Sequence, residues 1–519
     1  MGQTDKNYMA IYDVRGIQDY IFKTNHAKEI VGASHLVDSI IIKGLEKYVD
    51  SLAEEEKSRY MTDWENDDPH AFLTNPNVQM QVMFIGGGNA YVLFRDETVC
   101  RKVNRFLGKY VLTETYSLNL AVAVKKKGDS YAKDYKDINA KLREIKGKMP
   151  NTMPAGALPF MKRDSITGYP ISMRRKEHDT VNDYCTEAAK KRDQFPENEL
   201  KKNEGKKIFD NMVTEKGDDS NLAICHIDGN SMGIRIREQM QDVEAYEEAI
   251  PKMRELSKDI ADSFRQTFNE MINYMEKLTS KVKPDSEHKL YREIIVAGDD
   301  ITFVCNAKLA RSAAEFFLKK IVEKGYSACA GIAYFNSHFP FSDAYKVAEA
   351  CCESAKKCAK EEEHRGDDGE VGCYMDFQIC TNVRAADLRE YRKKHYLVDG
   401  QYMIARPYYI PADEEGKQVN GRNECNSIER LKKWLVKFND ESFIAKNKAK
   451  KLRNIIPEGL GGIESYLLFL KYRGIELGEP NEQYRYWYDA LEIMDIDLIP
   501  EKEVLKEGAA DENTDSVTE

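Results

Sequence analysis

The sequence predicts an α+β fold, with two ferredoxin-like palm domains, a mainly helical insert between them and a helical bundle towards the C-terminal end. Three observations carry that reading. Residues 221–360 follow the order β-α-β-β-α-β with a further helix, the same order recurs more faintly from Tyr8, and the residues after about Asn420 turn to helical spacing. A chain of 519 residues is also too long for one core and calls for several domains.

In the clearer copy, NLAICHID (221–228) is an apolar run ending in an acid, and helical spacing follows from about Ile234 to Met275. REIIVAGDDITFVCN joins two β-rich runs through a Gly-Asp-Asp turn, as a hairpin does. A helix from Ala307 to Glu323, a strand from Ser327 to Tyr334 and a helix from Phe341 to Lys360 complete the order. In the fainter copy, NYMAIYDVRGIQDYIF is a strand running into a turn and helix, VQMQVMFIGGGNAYVLF (78–94) is a hairpin with glycines at its tip, and LNLAVAVKK (118–126) is a last strand. The chain thus carries an internal duplication, in which Gly88 and Asn89 stand where the second copy has Asp299 and Asp300. The predicted divisions are a degenerate first palm (1–126), the insert (127–220), a catalytic second palm (221–419), the bundle (420–500) and an acidic tail (501–519) expected to be disordered.

The composition, 42% hydrophobic and 32% charged, is that of a globular protein in water, and a net charge of −10 supplies no general basic field for nucleic acid. Any nucleic acid is then met through local patches or partner proteins. Neither a signal peptide nor a membrane span is legible, so the expected location is cytoplasmic. Eleven cysteines without a CxxC pair argue against a zinc ribbon and against a disulfide framework. GLGGIESYLLFL lacks the preceding strand and the lysine of a phosphate loop and reads as a helix start. YRYWYDALEIM has the spacing of a bundle core, and GQYMIARPYYIP reads as a strand closing the second palm region.

The candidate chemistry lies at the hairpin. Metal-binding palm sheets need acids converging from neighbouring strands, because divalent cations are shared between carboxylates and phosphate oxygens. Asp228 ends the first strand of the second copy, and in a ferredoxin-like sheet that strand lies beside the hairpin bearing Asp299 and Asp300. The carbonyl of Gly229 adds an oxygen ligand, and Gly298 lets phosphates approach the turn closely. Gly-Asp-Asp is also an ordinary hairpin turn, and the placement of Asp228 is what favours a metal site. Attack of a ribose hydroxyl on the α-phosphate of a nucleoside triphosphate is the chemistry of such sites, in polymerases and nucleotide cyclases alike. His226, two residues before Asp228, is expected to be a packed or exposed histidine.

AGDD, IDGNSMG, ACAGIAYFNSHFPFSDAYKVAEACCESAKKCAK and the N-terminal YDVRGIQDYIF with EIVGASHL together resemble the large palm-domain subunit, the CRISPR polymerase, of type III CRISPR effector complexes. The resemblance covers most of residues 8–500. It implies that the second palm converts ATP, with Mg2+ or Mn2+, into cyclic oligoadenylate, a messenger of antiviral defence. By the same resemblance Asp228, Asp299 and Asp300 fall on the metal positions and Lys356 on a lysine that contacts the triphosphate, whereas Gly16 and Gln18 shape a nucleotide groove and Asp13 lacks metal partners. Ala297 replaces the first hairpin glycine and Asn230 a second acid, so the departures leave a non-catalytic scaffold or nucleotide sensor as the alternative. The only His-Asp dipeptide, His178–Asp179, lies in the insert, and RDSITGYP lacks the thiols of the family's zinc element, so neither a DNase domain nor a structural zinc is expected. The partners implied are other CRISPR effector subunits and, through them, guide and target RNA; a stand-alone cyclase would suit a homodimer.

Overall fold

The computed structural model describes residues 7–86, 89–149, 156–177, 180–196, 209–214, 220–283, 288–365, 370–380, 388–411, 426–478, 480 and 483–498. Gly88, His178–Asp179 and the acidic tail lie outside them. The chain divides into two compact units, one of Met1–Ile208, Ser231–Arg265 and Ile294–Asp299, the other of Phe209–Asn230, Gln266–Glu293 and Asp300–Glu519.

In the first unit, strands β1 (Tyr8–Arg15), β2 (Met80–Gly86), β3 (Asn89–Phe94) and β4 (Asn119–Lys126) are ordered β2-β3-β1-β4, with the two-residue strand Tyr60–Met61 added beyond β2. That is the ferredoxin-like order read from the sequence. β1 runs antiparallel to both neighbours and is buried from Met9 to Val14, as a strand covered on both faces must be. Helix α1 (Glu97–Thr115) starts at Asp96, whose side chain accepts from the Val99 amide at 2.9 Å. Helix α2 (Tyr131–Lys148) sends Ile138 and Leu142 into the core that holds Met9, Ile11 and Tyr91, so it belongs to the first palm although it falls within residues 127–220.

Among the described residues, the remainder of 127–220 is less helical than the spacing predicts. Ile171–Glu177 and Thr180–Cys185 form a two-stranded antiparallel sheet. Its residues are mostly charged or polar, with Asp183 bound by Arg174 at 2.8 Å and Lys162 at 2.7 Å, and such a pair carries little apolar alternation to read.

The second unit holds β5 (Asn221–Gly229), β7 (Asp300–Asn306), β8 (Ala328–Asn336), β9 (Cys373–Cys380) and β10 (Tyr408–Ile410); with β6 (Tyr291–Ala297) they make a six-stranded sheet ordered β10-β9-β8-β5-β7-β6. The helical stretch after β5 is two helices, α3 (Met232–Met240) and α4 (Tyr246–Val282). α5 (Ala307–Glu323) and α6 (Phe341–Lys360) have the bounds that the spacing predicts. β9 pairs parallel to β8, and β10 closes the edge in antiparallel register. Helices Ile428–Asn439, Lys446–Ile455, Leu460–Lys471 and Gln483–Ile493 form the C-terminal bundle, where Trp487 is fully buried edge-on against Trp434. The aromatic cluster there is core, as its helical spacing predicts. Among the described residues, no helix is long and apolar enough to cross a membrane.

Candidate functional site

The end of β5 meets the start of β7. Asp228 lies directly opposite Asp300 in the antiparallel ladder, Ile227 opposite Ile301 and His226 opposite Thr302. Directly opposed residues hold their Cβ atoms about 4.5–5.5 Å apart, so the two carboxylates repel unless a cation lies between or beside them. Alternation along the strands puts His226 and Asp228 on one face with Thr302 and Asp300.

Helix α6 covers that face because β8 offers it a glycine. Gly331 is opposite His226 in the ladder, and a Cβ there would meet the Ala348 carbonyl oxygen at 2.0 Å and the Cys352 nitrogen at 2.3 Å. The helix backbone therefore lies on the sheet with no side chain between them. One turn beyond Cys352, Lys356 reaches back over the strand end, its Nζ 2.5 Å from Asp228 Oδ2 and 3.0 Å from the Gly229 carbonyl oxygen. Burial works to lower the pKa of this ammonium, but the charge of the Asp228 carboxylate and its hydrogen bond outweigh it and hold it above its usual value. The lysine stays charged.

Beneath the carboxylates, His226 is buried, with Nδ1 3.0 Å from Thr302 Oγ1 and 3.5 Å from Asp300 Oδ1 and its ring edge-on to Tyr345. Burial holds its pKa below the usual value, so the ring is neutral at neutral pH and neutralises neither acid. Of the packed and exposed placements that the sequence leaves open, the structure has the packed one, on the same face as Asp228. Asn230 does not join the cluster. Its amide donates to the Gly372 carbonyl at 3.1 Å and its backbone nitrogen to Ser327 at 2.8 Å.

Asp228, Gly229, Asp300 and Lys356 thus come together in the second unit. Ala297, Gly298 and Asp299 fall to the first unit, whose boundary lies between Asp299 and Asp300. Gly298 and Asp299 form the turn itself; Gly298 has φ 61, a left-handed conformation that glycine adopts without strain. Gly16, with φ 74, precedes the short helix Ile17–Phe22 that carries Gln18, also in the first unit. The donor set is hard: carboxylates and a backbone carbonyl suit Mg2+ or Mn2+. A cationic Lys356 already bonded to two of those donors indicates that the cluster gathers positive charge.

The first copy repeats half of this arrangement. Asp13 lies opposite Asn89 as Asp228 lies opposite Asp300. Its carboxylate is bonded by Lys146, fifteen residues after the start of α2 (146 − 131), just as Lys356 is fifteen after the start of α6 (356 − 341). Burial raises the Asp13 carboxyl's pKa against the pull of Lys146. The acid and lysine persist in both copies, and the acid opposite them persists in one. Sequence reasoning missed Lys146, although its equal offset along the helix is a readable signal.

Residues 221–366 match the family model of the second palm domain of Cas10/Cmr2. No curated protein matches the chain. Among solved structures, Csm1 in T. onnurineus is 13% identical, with a TM-score of 0.52 over 95% of this chain and 69% of that one. A Csm1–Csm4 cassette in complex with one ATP gives 13% identity and a TM-score of 0.52, and the apo cassette 13% and 0.50, each over 95% of this chain and 70% of that one. At such identity the likeness is one of fold, and it extends through both palms and the helical regions. Residues 221–366 are thus similar to the second palm domain of Cas10/Cmr2, and the fold of the chain is like that of Csm1.

Proposed function

We propose that the second palm is a metal-dependent nucleotidyltransferase that converts ATP into cyclic oligoadenylate within a type III CRISPR effector complex. What carries the reading is the register of Asp228 opposite Asp300 beneath Lys356. Asp228, Asp300, the Gly229 carbonyl and, from the turn, Asp299 would hold Mg2+ or Mn2+. Bound there, the metal lowers the pKa of an attacking hydroxyl and stabilises the pyrophosphate that leaves.

The chain's own groups have separable roles in this reading. A ribose hydroxyl gives up its proton as its oxygen forms a bond to the α-phosphorus of the next ATP and the bond to pyrophosphate breaks, and Lys356, kept charged by Asp228, binds the triphosphate. Gly298, without a Cβ, leaves room for phosphate oxygens beside the turn, with Ala297 exposed on the strand end before it. Gly16 and Gln18 are assigned to nucleotide binding and partner effector subunits to complex formation. That a Csm1–Csm4 cassette has been solved with one ATP supports adenine as the base.

The test is to incubate the chain with each nucleoside triphosphate and Mg2+ or Mn2+, alone and with partner subunits and target RNA, and to separate products by mass. A cyclic adenylate from the native chain, absent from D299A/D300A, is the expected result. No turnover under any of these conditions would reject the enzyme and favour a scaffold.

A further inference from the structure

Helix α6 ends two residues after a cysteine that has no part in the site above. Beyond Lys356 come Cys358, Glu361 and His364, the last in the 3-10 turn Glu362–His364. One ligand atom from each, a sulfur, a carboxylate oxygen and an imidazole nitrogen, lies within 4.8 Å of the other two. His364 Nδ1 is 3.4 Å from Cys358 Sγ and 3.4 Å from Glu361 Oε2. With zinc bonds of about 2.3 Å to sulfur and about 2.0–2.2 Å to nitrogen or oxygen, the edges of a tetrahedron are roughly 3.3–3.6 Å long. Both measured separations fall within that range.

We propose that Cys358, Glu361 and His364 bind a divalent transition ion, zinc by the character of the donors, and that the ion fastens the end of α6. A thiolate and a carboxylate neutralise the charge of the ion, and a thiolate with an imidazole selects it over the hard cations suited to the all-oxygen cluster at Asp228. His364 is largely buried beside Tyr374, while Glu361 is exposed, so the ion would be approached from the solvent side. Without an ion, His364 Nδ1 is within hydrogen-bonding distance of the Cys358 carbonyl, 2.9 Å away. The metal takes that nitrogen's lone pair and the thiol's proton, so binding releases protons and weakens as pH falls.

Cys358 packs on a small core of Cys329, Cys352, Ala355, Ala359, Tyr374 and Tyr409, and Cys329 is opposite Asp228 in the sheet. An ion that ties the 3-10 turn to α6 would therefore hold the helical turn that carries Lys356. The site was not legible as a zinc motif, since a lone cysteine with a glutamate three residues on forms no CxxC pair.

The experiment is titration of the full chain, freed of metal by chelator, with Co2+ and then Zn2+. The native chain is expected to take up cobalt with sulfur-to-cobalt charge-transfer absorption and to lose that absorption when zinc displaces it. C358S should abolish the charge-transfer band, and H364Q and E361Q should each weaken zinc binding at least about tenfold. Glu361 is exposed, so E361Q tests a ligand without disturbing the core, and circular dichroism checks the fold of all three. Absence of the charge-transfer band in the native chain, an undiminished band in C358S, or zinc affinity unchanged in folded E361Q would each overturn the proposal.

Discussion

Replacing Gly331 with alanine should displace the helix that carries Lys356. The new Cβ would meet the Ala348 carbonyl oxygen at 2.0 Å and the Cys352 nitrogen at 2.3 Å, both backbone atoms that no rotamer change can remove. Ordinary contact begins at 3.4 Å, so α6 and β8 must part by about 1.4 Å (3.4 − 2.0) at that point. Separation on this scale loosens Ala344, Ala348 and Cys352, all buried, and overpacking of a close-packed core costs about 1–3 kcal/mol. The assay is urea unfolding followed by circular dichroism, read as a fall in midpoint at unchanged slope. G331A should also lengthen the reach from Lys356 to Asp228 and weaken ATP use beyond what the lost stability explains. A G331A chain as stable as the native one, with the same KM for ATP, would refute the idea that this glycine sets the distance between helix and site.

Three further outcomes follow from the same geometry. Arg392 donates to Asp376 through Nη1 at 2.7 Å and Nη2 at 2.8 Å, both groups buried, so D376A strands a guanidinium in the core and should cost about 3–5 kcal/mol of stability in urea unfolding. Burial works to raise Glu315, but Lys432, Lys319 and Arg311 outweigh it and push its pKa down to about 2. Because the folded value is depressed, this stabilisation is full above the unfolded pKa near 4.5 and is lost as pH falls towards 2; E315Q should flatten the stability profile in that window. K356A removes a partly exposed ion pair and should change stability by less than about 1 kcal/mol while lowering kcat/KM for ATP at least about tenfold, as measured by initial rates.

Legibility in the sequence depended on whether a segment's pattern was set by its own neighbours. Helices α5 and α6 have the predicted bounds because their buried apolar residues recur at helical spacing from one end to the other. The break between Met240 and Tyr246 escaped notice because it is tertiary: the Glu244 carbonyl accepts from the Tyr131 amide at 2.8 Å, and Val243 is buried in the first unit's core. Strand β9 was hidden by Asp376 and Gln378, fully buried polar residues that interrupt an apolar run and are satisfied by Arg392, more than a dozen residues on. Asp228 and Asp300 could be placed on neighbouring strands from topology, but their direct opposition depends on the register. Lys356 was found through resemblance, and its physical placement depends on Gly331, which carries no sign of that role in the sequence.

The most direct test of the account is a double-mutant cycle on Asp228 and Asp300, with adenylate product measured by mass for the native chain, D228N, D300N and D228N/D300N. Two carboxylates that share one cation act as a unit, so each single change should lower turnover to nearly the same floor as the double. Independent losses that multiply in the double variant, or product that persists in D300N at the native rate, would contradict a shared metal site at the meeting of β5 and β7.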